Sequence, residues 1–217
     1  KMAVAPDAFR RQMELLDHHR HQVPVLPLAR AGQALASGPR RSVVLTFDDA
    51  WADNHAHALP ALVAHRLPAT LYVPSRLLGT PGYMAPSQLE EMVAAGVSVG
   101  GHTRTHPDLR RLGAEELEAE VRGGREDLED LLGQPVVDFA YPSGLLDPRV
   151  VRAVARAGYR TAVTTRRGAM SASTPRLLIP RTFVEELAEP TFAAALRGGL
   201  TVLGPLEAVQ ARLRRPR

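Results

Sequence analysis

Hydrophobic residues follow two alternating spacings along this 217-residue chain. From Pro6 to His21, Phe9, Met13, Leu15 and Leu16 form a loose apolar face, which predicts a helix with Asp7 as its N-cap. Val23 to Leu28 reads as short and extended, and Gly32 to Pro39 as a loop. Ser42 to Phe47 is then a continuous apolar run, the pattern of a strand buried on both faces. A helix follows over Asp53 to His65, with Leu59, Leu62 and Val63 apolar, and then a strand over Ala69 to Val73. Ser87 is placed to cap a helix carrying Leu89, Met92 and Val93, and Val97 to Gly101 is the next strand. Ala114 to Leu132 is a longer helix whose middle Gly123-Gly124 should weaken. Val136 to Ala140 is extended, Asp147 caps a helix to Ala157, and Tyr159 to Thr165 is again a strand. Leu177 to Val184 reads as a late strand and Pro190 to Leu196 as a short helix.

Strands alternating with helices imply an α/β protein with mainly parallel strands and crossover helices. The number of units suits a barrel or distorted barrel better than a small open sheet. No repeat, low-complexity tract or linker divides the chain, so one domain is expected over 1–217. It has an N-terminal helical segment at 1–38 and a basic tail at 204–217.

Composition narrows the chemistry. The chain has no cysteine, which excludes disulfides and thiolate metal sites, so any metal must be held by His, Asp or Glu. Net charge is +4 with a pI near 10.1, much of it from Arg212, Arg214, Arg215 and Arg217. Such a surface could attract nucleic acid, anionic lipid or an acidic glycan. Aromatics are few, however, and no basic-aromatic ladder supports nucleic-acid binding. No apolar run approaches the ~20 residues of a membrane span. The chain opens at Lys1-Met2-Ala3 without a signal-peptide pattern, as a trimmed or mature form would.

Three segments carry the candidate chemistry. Asp48 and Asp49 follow the first apolar strand, His102 and His106 follow the third, and Tyr141-Pro142-Ser143-Gly144 follows the fourth. In parallel α/β folds the carboxyl ends of strands share one rim, so all three should meet. Two imidazoles and a carboxylate can hold a divalent metal with positions left open, and a second carboxylate beside them can act as a base. Zn²⁺, Co²⁺ and Ni²⁺ all accept this donor set.

The motifs themselves are more specific. Thr46-Phe47-Asp48-Asp49-Ala50-Trp51-Ala52-Asp53-Asn54, Gly101-His102-Thr103-Arg104-Thr105-His106-Pro107 and Phe139-Ala140-Tyr141-Pro142-Ser143-Gly144 resemble the first three motifs of the polysaccharide deacetylases (carbohydrate esterase family 4). Pro68 to Val73 resembles that family's second strand, and the likeness runs from about Ser42 to Val184. The resemblance implies a distorted (β/α)7-type barrel and metal-dependent removal of acetyl groups from glycans. It implies Asp48 as general base and Asp49, His102 and His106 as ligands of a divalent metal, zinc first. An oxyanion would be held in part by a main-chain N–H of the Tyr141–Gly144 loop, most simply that of Ser143. Trp51, Tyr141, Pro142, Ser143 and Gly144 are the expected sugar contacts. An acetylated glycan or exopolysaccharide is the implied partner, and an extracytoplasmic or membrane-associated setting is favoured.

Three departures bear on activity. Ala50 stands where the family usually has Gly, at a cost of roughly 1 kcal/mol if its φ is positive. Ala140 stands where many members carry an Arg that orients the base, as in the exopolysaccharide subgroup with a Phe-Ala-Tyr-Pro motif; Arg181 could supply that charge from another strand. No histidine follows His106, so the family's usual C-terminal acid is missing. In the exopolysaccharide subgroup the equivalent His precedes a segment like Phe9–Leu16, which would put it upstream of Lys1. Otherwise His18, His19 and His21 are the candidates. Glycan N-deacetylation leads; O-acetyl ester cleavage and a low-activity or non-catalytic glycan-binding protein are the alternatives.

Overall fold

The computed structural model describes residues 4–37, 41–184 and 189–196. Its centre is a sheet of five parallel strands, β1 (Leu45–Phe47), β2 (Ala69–Val73), β3 (Ser98–Gly101), β4 (Asp138–Ala140) and β5 (Thr161–Val163), hydrogen-bonded in that order. Each parallel step needs a crossover, supplied by α3 (Leu59–His65), α4 (Pro86–Ala94), α5 (Ala114–Leu132) and α6 (Pro148–Arg156). Two parallel bridges extend the wall at its edges, Val25 beside Val43 and Ile179 beside Val163. Seven parallel segments therefore line a curled, distorted barrel. Arg181, just past Ile179, reaches across to hydrogen-bond Thr46 on β1.

Alternation along the strands sorts the core into two layers. Ala69, Leu71, Val73, Val99, Phe139 and Ala162 face outward into the large core beneath the helices. Tyr72, Ala140 and Val163 face inward and meet Ile179 and the first residues of α2 (Leu28–Ser37).

Several local expectations shift. α1 (Pro6–His19) forms, but its N-cap is Ala5, and Asp7 lies in the first turn paired with Arg10. Residues expected as a loop from Gly32 belong to α2, because burial of Leu28 and Ala31 outweighs the roughly 1 kcal/mol cost of one helical Gly. Ala85, not Ser87, is the N-cap of α4; Pro86 occupies the first helical position, and Gln88 Oε1 accepts the Ala85 N–H at 2.9 Å. Asp147 does cap α6, accepting from the N–H groups of Arg149 and Val150. The helix expected over Asp53 to His65 opens with a π-helical stretch, Asn54–Ala58, that leads directly into α3. The expected strand at Leu177–Val184 is reduced to the Ile179 bridge. A final helix, α7 (Glu189–Leu196), matches its expected place, whereas the 204–217 tail lies outside the described residues.

Candidate metal centre and catalytic rim

The carboxyl ends of β1, β3 and β4 bring the three motif segments together. Leaving β1, the chain turns sharply through Asp49 (φ 74°) and Ala50 (φ 56°). The left-handed conformation expected at Ala50 is present, and Asp49 shares it. Among the described residues six non-glycine residues have positive φ; Asp49, Ala50, Thr103, His106 and Ser143 all lie in the three motif segments. Each costs roughly 1–2 kcal/mol, so backbone strain is concentrated at this rim.

The turn aims Asp49 at the histidines. Its Oδ1 lies 3.4 Å from His102 Nε2 and 3.4 Å from His106 Nε2, and donor atoms of the three residues all lie within 4.8 Å of one another. A tetrahedron with bonds of about 2.1 Å has edges of about 3.4 Å, the length of both Asp49–imidazole edges, and the three residues together could hold a metal ion. His102 is fully buried, and its Nδ1 lies 2.7 Å from the Ala140 carbonyl. Donation there fixes the tautomer that leaves Nε2 for a metal. Burial, reinforced by the charge of His102, pushes His106 below the ordinary imidazole range and so favours its neutral, ligating form. Burial raises the Asp49 carboxyl, but His102, His106 and Trp51 outweigh it and hold the group below the usual carboxylate range.

Asp48 takes a separate partner. Arg181 Nη1 and Nη2 each donate to one Asp48 oxygen at 2.7 Å, a bidentate fork. Arg181 also donates from Nε to the Thr164 carbonyl at 3.1 Å, and its guanidinium lies 5.6 Å from the centre of the Tyr72 ring. Burial alone would lower its pKa, yet the Asp48 pairing raises it, so the guanidinium stays charged. Arg181 thus sets a cation against Asp48 from beside β5.

The His loop rests on α5. Glu120 Oε2 accepts the N–H groups of Arg104 and Thr105, each at 2.9 Å, and its Oε1 accepts the Thr105 hydroxyl at 2.8 Å. Asp127 takes a fork from Arg104 (2.9 and 2.8 Å) and the Ser75 hydroxyl at 2.8 Å. The glycine pair expected to weaken α5 lies instead beneath this loop in an unbroken helix. A Cβ on Gly124 would sit 2.7 Å from the Thr103 carbonyl carbon, and one on Gly123 would sit 2.3 Å from Arg104 Cζ. Glu120 and Asp127 were not singled out from the sequence, and the glycines read there only as a weak point of the helix, because a charge or small residue mid-helix has no local signature of what packs on it.

The third motif is divided. Tyr141 and Pro142 are buried, with the Tyr141 hydroxyl donating to the Leu177 carbonyl, so their side chains pack inward rather than face a ligand. Ser143, at φ 53°, is exposed. Trp51 is half-buried: its Nε1 donates to Asp49 Oδ2 at 3.0 Å, and its ring stacks on Tyr83 at 4.3 Å between centroids. His18 and His19 lie far from the rim. Asp17, immediately before them, binds His65 at the end of α3, where the chain turns into the amino end of β2, whereas Phe9 packs against Phe47.

Comparison with known proteins places this arrangement. The family model described as polysaccharide deacetylase matches residues 36–162. A chitooligosaccharide deacetylase of Bradyrhizobium is 35% identical over 122 residues, covering 54% of this chain and 53% of that protein. The chain spans about half the length of the curated relatives it matches. Among solved structures, the Streptococcus pyogenes deacetylase PplD in complex with acetate superposes with a TM-score of 0.82 at 27% identity, covering 90% of this chain and 88% of that one. The Bacillus cereus polysaccharide deacetylase BC0361 gives 0.77 at 28% identity, over 89% and 61%.

Proposed function

The chain belongs to the polysaccharide deacetylase family, and on that premise we propose that it is a metal-dependent hydrolase that removes N-acetyl groups from a glycan. The observation that carries this reading is the division of labour at the rim. Asp49 groups with His102 and His106 as three donors that could hold one ion, while the adjacent Asp48 pairs with an arginine. Of the metals this donor set accepts, the donor spacing favours a four-coordinate ion such as Zn²⁺. When bound, the ion supplies Lewis acidity to the acetyl carbonyl and acidifies water.

The protein's own residues do the rest. Arg181 holds both Asp48 oxygens in one orientation while leaving each a further lone pair. Asp48 takes a proton from the attacking water as its oxygen bonds to the acetyl carbon. The carbonyl electron pair moves onto oxygen, and the Ser143 N–H, on the strained loop, is the proposed main-chain donor to it. Collapse breaks the C–N bond, and the proton that Asp48 took from the water passes to the departing amine nitrogen, which restores the carboxylate. Sugar contacts fall to the Ser143–Gly144 edge and the open side of the Trp51–Tyr83 stack. The substrate class follows from the family and the chitooligosaccharide relative; the Phe-Ala-Tyr-Pro motif and the Arg181 pairing support an exopolysaccharide.

A second reading is O-acetyl ester cleavage, favoured by one observation: no histidine follows His106, and an alkoxide needs less protonation to leave than an amine. Acetate release from N-acetylglucosamine oligomers and from an O-acetylated glycan separates the two. Release from the oligomers is expected; release from the ester alone overturns the amidase reading.

A further inference from the structure

We propose that Trp51 is a positioning residue for the metal, locking Asp49 as a one-oxygen ligand. Asp49 Oδ1 faces both imidazoles, whereas Oδ2 receives the indole N–H at 3.0 Å. A carboxylate whose second oxygen is engaged in this way cannot swing that oxygen onto the ion without losing the bond. The coordination position it would occupy is the one that water and substrate need. Partners of this kind orient metal ligands and typically alter affinity 10–100-fold when removed.

The indole is built in rather than free to rotate. Tyr83 stacks on it nearly parallel, at 23° between ring planes. The two residues also form an antiparallel bridge, flanked by the Ala52 N–H to the Gly82 carbonyl and the Met84 N–H to the Ala50 carbonyl, both at 2.9 Å. The loop after β2 thereby clamps the segment that carries both aspartates. Plain packing would explain the ring stack but not the direction of the N–H. A sugar platform would use the ring face and would not need the nitrogen at all.

This inference rests on the reading of Asp49, His102 and His106 as metal ligands, and the test separates the two. Trp51 is the chain's only tryptophan, so quenching of its fluorescence by added Co²⁺ reports metal at Asp49 in the wild-type protein. Absence of both quenching and Co²⁺ binding in the wild type would overturn the ligand reading itself. Trp51→Phe keeps a ring on Tyr83 and removes only the donor. Its Co²⁺ affinity, measured by chelator competition, is expected to fall about 10-fold or more. The visible Co²⁺ bands should weaken as coordination number rises. Wild-type affinity and spectrum in Trp51→Phe, with only KM for the glycan raised, would make Trp51 a sugar platform and overturn the proposal. Tyr83→Leu, which keeps the donor but unclamps it, should shift affinity in the same direction by a smaller factor; a larger loss there than in Trp51→Phe would also contradict it.

Discussion

The Asp48–Asp49 turn and the His102–His106 loop meet at one group of donors that could hold a metal ion but are anchored from opposite sides. The Asp turn is held from within the wall, by Arg181 reaching across from beside β5 and by Trp51 against Tyr83. The His loop is held from outside, on a helix face shaped by two glycines and two carboxylates. Arg181, which holds the proposed base, can therefore be disturbed without touching the proposed metal position, and the bed of the His loop without touching Asp48. Separate supports of this kind allow adjacent aspartates to take different work: one is charge-paired and oriented, the other shared with imidazoles.

Of the two supports, the inner one gives the larger expected effect when broken. Arg181→Met should lower kcat about 100-fold, the cost of letting a base drift by roughly an ångström, while Co²⁺ affinity stays at the wild-type value. Arg181→Lys should recover part of the rate, since it restores charge but not the fork. Loss of metal in Arg181→Met would mean the two supports are one. Breaking the outer support should do the reverse. Gly124→Ala drives a methyl into the Thr103 carbonyl, so it should weaken metal binding about 10-fold, with an overpacking cost of about 1–3 kcal/mol seen as a lower Tm. An unchanged metal affinity there would show that the loop does not need this bed.

The smallest effect is in acid. Burial raises the Asp127 carboxyl, but Arg104, Ser75 and Arg76 outweigh it, and its folded pKa lies below the ordinary value. Its contribution is therefore present above the unfolded carboxylate range and is lost as pH falls through the folded pKa. Between about pH 5 and pH 3, Tm should fall less in Asp127→Asn than in the wild type. Parallel curves would show that Asp127 adds nothing to the loop.

The inner support was partly legible in the sequence. Ala140 left a charge unaccounted for, and Arg181 stood near the end of a run that could return to the same rim. The Asp and His motifs were legible because strand ends converge by topology, without knowledge of any contact. The outer support was hidden. Gly123-Gly124 has the local meaning of a weak helix, and only the Thr103–Arg104 backbone lying on it reverses that meaning. Tyr83 was hidden for the same reason, as its stack on Trp51 joins segments some thirty residues apart. The α2 helix was missed because Gly32 looked like a breaker, while burial of Leu28 and Ala31 decides the matter.

The central claim is that Asp48 is the base and is not a metal ligand. Its most direct test is Asp48→Asn, with metal content and acetate release measured on the same preparation. The account predicts an unchanged metal stoichiometry and acetate release from N-acetylglucosamine oligomers lowered on the order of 10³-fold. Full activity in Asp48→Asn, or loss of its metal, would contradict it.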